Sequence, residues 1–547
     1  MRGRTLIAVL VASAPIFAFA ASDAGSARAE DRATAQNTPS AVSARDNVGE
    51  QPADASVSDP SAVADQPVPA HSIVAQIRSK LEDPALRKAA SPGDIAALES
   101  FYAAWSGPPL WITSMGFSAR AQKIIDEIGK AGDWGLSAAA FDLPSASQLP
   151  ATEEAQAQAE IELGLAALQY ARFARGGRVV PRKLSPLVDQ GLALRDPRTV
   201  VSEIAASSAP DAYLRSLHPK HEQFERLRQA LLKARAAHKE GGKKAGKERK
   251  IQRLIVNMER WRWMPEDLGS FYVWNNSPEF VTKVVKDDKT IYTEKTIVGQ
   301  LAYATPIFSA NMTSIVFHPQ WVVPVTIVKE DLQPPLRGGG FFGLPDTSIL
   351  QKHDLAVSLK GEPVDADRVD WKNENIHKYT FTQPPGPKNV LGALKFNFPN
   401  KHAIYMHDTP QPELFAEKTR TLSHGCVRVK DPNRLAALLL AEDKGWSAKQ
   451  VDKKIASRQS SAIKLGRSIP VHLTYFTAVV DDKGRVETFP DIYGLDGRIA
   501  STIFGKRIVF AGLAENVKAP RPRAGQRTVG FRQTGGLADG IQGLFGN

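Results

Sequence analysis

At roughly 150 residues per domain, a chain of 547 residues holds several domains, and its 42% hydrophobic content excludes a wholly disordered protein. Lys and Arg number 70 against 58 Asp and Glu, and the net charge of +12 points to an anionic partner such as nucleic acid, an acidic polymer or a membrane surface. A single cysteine, Cys426, excludes any intramolecular disulfide and any multi-cysteine zinc or iron–sulfur site.

Residues 1–20 begin with Arg2 and Arg4, continue as an apolar stretch and end in Ala18-Phe19-Ala20, the small-x-small pattern of a secretory signal peptide. Export removes nucleic acid from the expected partners, and no later segment offers the ~20 uninterrupted apolar residues of a membrane span. Residues 21–71 are rich in Ala, Ser, Pro and Asp with few large apolar side chains, which predicts a disordered linker. Over 72–235, apolar residues recur at helical spacing (Ile73, Ile77, Leu81; Ile161, Leu165, Leu168), predicting a helical scaffold domain in which Phe101, Tyr102, Trp105, Leu110 and Trp111 pack in the core.

The Lys/Gly-rich run 236–250 reads as a basic, solvated hinge. Beyond it the texture becomes strand-like, with short β-branched and aromatic runs at Phe271–Trp274, Thr296–Val298, Ile315–Phe317, Ile404–Met406 and Val471–Tyr475. The fold class is therefore α+β, a helical domain followed by a mostly-β domain over 251–480. Within it, the Gly- and Pro-rich stretch 331–387 predicts a long inserted cap loop. Asp431 and Pro432 are a good N-cap and first turn for a helix carrying Leu435, Leu438 and Leu439. Residues 481–517 read as a C-terminal extension and 518–547 as a disordered basic tail.

The chemistry concentrates around the sole cysteine, where His407, Ser423, His424, Gly425 and Arg428 all fall within nineteen residues of Cys426. A thiol attacks as thiolate and needs a nearby imidazole or cation. Gly425 permits close backbone approach, so the Gly425 and Cys426 N–H groups are candidates to hold an oxyanion. Arg428, on the same side as Cys426 in an extended segment, is a candidate fork for a substrate carboxylate. Three readings compete: a buried structural cysteine, a catalytic zinc held by His407, His424 and Cys426, and cysteine acyl transfer with His407 as base.

The string Ser423-His424-Gly425-Cys426-Val427-Arg428, with His407 in a His-Asp-Thr-Pro turn upstream, resembles the signature of the L,D-transpeptidases, whose catalytic domain is called YkuD. Asn257–Trp263 (NMERWRW), Thr305–Ser309 (TPIFS) and Pro385–Asn389 with Gly392 are similar to the large, YcbB-like Gram-negative branch, and Pro109-Leu110-Trp111 and Trp134-Gly135-Leu136 resemble its scaffold. The resemblance implies a periplasmic acyltransferase without cofactor or metal. In it Cys426 attacks the meso-diaminopimelate carbonyl of a peptidoglycan tetrapeptide, His407 takes the thiol proton, His424 positions, and D-Ala leaves. The amine of a second stem peptide then resolves the thioester into a 3→3 cross-link, with Arg428, Ser423 and Tyr405 beside the substrate, although packing is the commoner fate of residues like the last two. The same acyl-enzyme chemistry would also serve to anchor outer-membrane proteins to the wall, and a non-catalytic wall-binding scaffold is the rival from another class. Two departures stand out: only the basic run 236–250 occupies the place where that branch often carries a peptidoglycan-binding module, and Arg428 stands where smaller members have Asn.

Overall fold

The computed structural model describes residues 70–145, 151–240, 245–339 and 344–505. The expected signal segment, the linker up to residue 69 and the tail 518–547 lie outside the described residues.

The helical part is built from α1 (Ala70–Leu81), α2 (Pro92–Ala104), α3 (Ala119–Gly129), α4 (Glu153–Gly176), α5 (Pro197–Ala206) and α6 (Pro210–Ser216). Helix α4 is its axis: capped by Thr152, it buries Ile161, Leu168 and Tyr170 against Ile77, Leu98 and Ile124. Its buried Glu160 accepts hydrogen bonds from the Tyr102 hydroxyl and from the backbone N–H groups of Leu110, Trp111 and Ile112, tying the Pro109-Leu110-Trp111 segment to the core. Tyr102 and Trp111 are core residues, and Phe101 stacks on Trp105 with ring centroids 5.0 Å apart.

Helices α7 (Glu222–Glu240) and α8 (Ala245–Trp261) correct the expected hinge, because most of 236–250 is helical and 241–244 lie outside the described residues. Lys, Arg, Glu and Ala are all good helix formers, so charge did not prevent a helix once Phe224, Leu227 and Leu231 could pack on Leu254, Ile255 and Met258. The Asn257–Trp263 motif at the end of α8 joins the two halves of the protein. Asn257 bonds the Thr477 and Ala478 backbone (2.9 and 3.2 Å), Glu259 accepts the Val179 N–H (2.9 Å), Arg260 pairs with buried Asp496 (2.5 Å), and Arg262 donates to the Trp134 carbonyl (2.6 Å). A second bridge is the segment before α5, where Val188 pairs in parallel with Ile307 and the Asp189 N–H bonds the Ile307 carbonyl at 2.8 Å.

The mostly-β part has strands β1 (Phe271–Asn276), β2 (Val281–Lys286), β3 (Lys289–Gly299), β4 (Phe308–Phe317), β5 (Trp321–Val322), β6 (Ala356–Leu359), β7 (Glu362–Pro363), β8 (Tyr379–Gln383), β9 (Leu394–Asn397), β10 (Met406–His407), β11 (Thr421–Ser423), β12 (Val427–Val429) and β13 (Ser461–Thr474). The main sheet runs β11-β3-β12-β10-β9-β4-β13-β1-β2, and it closes on itself because the long strand β3 also pairs with β2. Alternation directs Val273, Ile315, Leu394, Phe396, Met406, Val427 and Val429 into one core together with Leu435 and Leu439 of α9 (Pro432–Lys444), whose N-cap is Asp431.

The predicted cap loop is instead a small lobe with its own sheet, β5-β8-β6-β7, and its own core of Trp321, Leu332, Leu336, Trp371 and Phe381. Its strands are two to five residues long and its apolar residues widely spaced, too sparse a pattern to show through the surrounding Gly and Pro. In the expected extension 481–517, of which residues up to 505 are described, the hairpin β14 (Ala478–Val480) with β15 (Val486–Thr488) and helix α10 (Leu495–Phe504) pack around α8, and Asp496 makes the buried pair with Arg260.

Candidate active site

Strand register assembles the site. Strand β10 lies between β9 and β12, with Lys395 opposite His407 and His407 opposite Arg428, so the three form one row across the sheet. Their neighbours Leu394, Phe396, Met406 and Val427 are fully buried on the core side, which leaves Lys395, Tyr405, His407, Cys426 and Arg428 on the other face. The rings of Tyr405 and His407 meet edge to face at 5.7 Å, and Lys395 Nζ lies 4.1 Å from the Tyr405 ring centre.

His407 donates from Nδ1 to the Asp408 carbonyl, which fixes the tautomer and leaves Nε2 as the acceptor. Asp408 is itself held, accepting from the Ala393 N–H (2.8 Å) and the Thr409 N–H (2.7 Å), and Thr409 leads to Gln411, whose Oε1 accepts from Arg428 at 3.2 Å. The His-Asp-Thr-Pro turn thus sets both the imidazole and the guanidinium.

The cysteine stands at the end of a turn that needs glycine. Gly425 has φ +107°, and a Cβ there would lie 3.1 Å from Ile404 Cδ1. The turn is clamped on both sides: the Ser423 hydroxyl donates to the Cys426 carbonyl and accepts the Gly425 N–H (3.2 Å), while the Thr305 hydroxyl donates to the Gly425 carbonyl (2.8 Å) and accepts the Gly299 N–H (2.9 Å). Half-buried Cys426 points its thiol at the Ala403 carbonyl, 4.0 Å away.

Burial pushes the Cys426 thiol up, opposed by the Tyr405 hydrogen bonds and by the charges of Lys395 and Arg428. Burial, together with Arg428 and Lys395, takes His407 down to about 3, so the imidazole is neutral at physiological pH. Burial also lowers Lys395 and brings Arg428 down to about 10, the thiolate side of Cys426 working in the opposite direction for both. The resting pair is thus a neutral thiol and a neutral imidazole flanked by two cations.

Two sequence expectations change, those for the Gly425 N–H and for Arg428. Ser423 is buried with its hydroxyl spent inside the turn, and the Gly425 N–H is spent on Ser423, so neither faces outward; the His424 and Cys426 N–H groups are the turn's other backbone donors. Arg428 is fully buried on Gln411, so it sits under the site rather than reaching from it. His424 stacks on Tyr303 with centroids 4.5 Å apart and is taken down to about 4 by burial and Arg428. Among the described residues His407, His424 and Cys426 do not come together as a three-ligand set. Lys395 and Thr305 were missed as site residues; the one signal for Lys395 is a lysine alternating with the buried Leu394 and Phe396. The lobe reaches the site through Tyr405, which packs on its core, and through Glu330, which accepts from the Tyr303 hydroxyl.

Comparison with known proteins agrees with this geometry. Residues 270–451 match the L,D-transpeptidase catalytic domain family, YkuD, and residues 96–231 match the Scaffold domain family. A Haemophilus influenzae protein named "Putative L,D-transpeptidase" is 33% identical over 250 residues, covering 45% of this chain and 49% of its own length, so the match spans about half of that relative. A solved L,D-transpeptidase from Mycobacterium smegmatis aligns at 11% identity over 38% of this chain and 58% of that one with a TM-score of 0.17, too weak a superposition to bear on the argument. The chain therefore carries a YkuD L,D-transpeptidase catalytic domain preceded by a Scaffold domain.

Proposed function

We propose that the protein is a periplasmic peptidoglycan L,D-transpeptidase with Cys426 as nucleophile. The observation that carries this reading is the placement of Cys426, Tyr405 and His407 on one sheet face, with His407 Nε2 free to accept a proton. The thiol attacks the meso-diaminopimelate carbonyl of a donor tetrapeptide while its proton passes to His407; the tetrahedral oxyanion collapses, D-Ala departs with that proton, and a thioester remains. Cys426 N–H is the backbone donor for the oxyanion, and Lys395 with buried Arg428 supplies positive potential as charge develops on sulfur. A second diaminopimelate amine then displaces the thiolate, giving a 3→3 cross-link.

The test is mass spectrometry of products after incubating the protein, and its Cys426→Ala form, with a disaccharide-tetrapeptide containing meso-diaminopimelate. Cysteine-dependent dimers lacking one D-Ala support the reading. Release of D-Ala without dimers points to water or a protein amine, such as one on an outer-membrane protein, as acceptor. No cysteine-dependent product sinks it.

A further inference from the structure

Where the helical part meets the sheet lies a cleft that no step above uses. Its walls come from the last turn of α4, the segment after α6 and the run from Trp261 to Leu268 that leads into β1. With its open mouth it measures about 340 Å3, and Arg175, His218, Lys220, His221, Trp261 and Glu266 are among its lining. None of these residues belongs to the cysteine site.

Two of the lining side chains are buried and incompletely bonded. Arg175 and His218 are 7% and 4% exposed, yet Arg175 Nη2 and His218 Nδ1 have no hydrogen-bond partner, an uncommon state for buried polar atoms. Among the described residues the ionic neighbour of Arg175 is Glu266, 3.8 Å from Nε and so beyond hydrogen-bond reach. The network behind His218 decides what its Nδ1 can do. Glu127 accepts from the Tyr170 hydroxyl (3.2 Å), Trp134 Nε1 (3.1 Å) and Arg215 (2.6 Å), which commits the Tyr170 proton to Glu127. The Tyr170 oxygen then accepts from His218 Nε2 at 3.1 Å. Nε2 therefore carries the proton of the ring and Nδ1 presents a lone pair. Burial, followed by the charges of Arg262 and Arg228, holds His218 well below its ordinary range, so the ring is neutral.

The cleft thus offers a cationic donor and a neutral acceptor. At its mouth Lys220 is 72% exposed and lies 3.8 Å from Glu266, so the lining sets two cations against one carboxylate. Water could bridge the donor and the acceptor, but it would bring no charge to the two cations. Sulfate brings charge and has no proton to give to Nδ1. Hydrogen phosphate brings both, because it keeps one O–H across the neutral range. We propose that this cleft binds a small oxyanion that retains a hydroxyl, of the hydrogen-phosphate class, with Arg175 and Lys220 on its charged oxygens and its O–H donated to His218 Nδ1. Glu266 is the group that the ligand displaces from the two cations. The inference is independent of the chemistry assigned to Cys426. An occupied cleft ties the helical part to the connection entering β1, and binding to the folded state alone raises its stability by mass action.

The test titrates the full chain at neutral pH with sodium phosphate and with sodium sulfate at matched ionic strength, read by calorimetry and by the thermal unfolding midpoint. Phosphate should bind ~10-fold or more tightly than sulfate and should raise the midpoint further. Lys220→Ala should weaken phosphate binding ~3-fold or more, and Glu266→Gln should strengthen it ~3-fold or more, by removing the competing carboxylate. Both positions are exposed, so these variants decide the matter even where Arg175→Met, expected to abolish binding, fails to fold. Equal responses to the two salts would show a general salt effect or an adventitious ion only, and would overturn the proposal. So would the absence of phosphate binding at ~10 mM, or an affinity unchanged in both exposed variants. A lowered midpoint for Glu266→Gln with no gain in phosphate affinity would make Glu266 the resident partner of Arg175, which also overturns it.

Discussion

Thr305→Val is the sharpest probe of the turn that presents Cys426. The side chain is fully buried, and its hydroxyl is the sole link between the Gly299 N–H and the Gly425 carbonyl, at 2.9 and 2.8 Å. Valine keeps the shape, so no cavity forms, but both backbone groups lose their partner. An orphaned buried donor or acceptor costs about 1–3 kcal/mol. Two of them, with some local relaxation, give an expected loss of about 3 kcal/mol. Because the Gly425 carbonyl, next to the φ +107° backbone, is held through this contact, the placement of Cys426 should loosen as well, and under the proposed function acylation by a tetrapeptide donor should slow ~10-fold or more. Urea unfolding followed by tryptophan fluorescence reads the first effect, and single-turnover D-Ala release the second. Thr305→Ser, which keeps the hydroxyl and loses one methyl, should cost about 1 kcal/mol and retain most of the rate. A valine variant within about 0.5 kcal/mol of wild type that acylates normally would refute the reasoning.

Other outcomes follow from the electrostatics and the domain junction. Alkylation of Cys426 by iodoacetamide should rise in one step above the ordinary thiol value of 9.0, because burial pushes the thiol up, and Lys395→Met should move that step higher still; a reactive plateau below pH 7 would instead reveal a preformed thiolate–imidazolium pair. His407, at about 3 in the fold against ~6.5 unfolded, leaves the unfolded chain binding more protons between those values. Its contribution therefore lowers stability as pH falls from ~6.5 toward 3 and vanishes above ~6.5, so His407→Gln should flatten the acid side of a stability-versus-pH curve. Asp496→Ala removes the carboxylate buried against Arg260 at 2.5 Å and should cost about 3–5 kcal/mol, seen as a lowered unfolding midpoint, whereas a neutral result would show that the junction does not depend on this pair.

How much of this was legible in the sequence depended on distance along the chain. The span from Tyr405 to Arg428 is local, and a lone cysteine with two histidines within nineteen residues marks it without any knowledge of the fold. Lys395 joins it only through the pairing of β9 with β10, and Thr305, legible as the start of the TPIFS motif, takes its place there because its hydroxyl reaches a carbonyl 120 residues away. Hydrophobic periodicity reports which face of a strand is buried, not which strand will lie beside it. The same limit explains the lobe, whose core gathers Trp321, Trp371 and Phe381 from across a long Gly- and Pro-rich stretch. It also explains Ser423, whose hydroxyl looks available for chemistry until the turn uses it.

The bonds made by α8 have a consequence for the order of events during synthesis. Asn257 and Arg260 are translated well before the catalytic sheet, yet their partners Thr477 and Asp496 lie 220 and 236 residues later. Contacts of such separation carry the loop-closure cost that slows folding. The junction therefore completes only when the chain beyond residue 496 has emerged, and Cys426 is made before that point. The sole thiol must spend an interval outside its finished pocket, exposed to oxidants and to any partner that shields nascent chains.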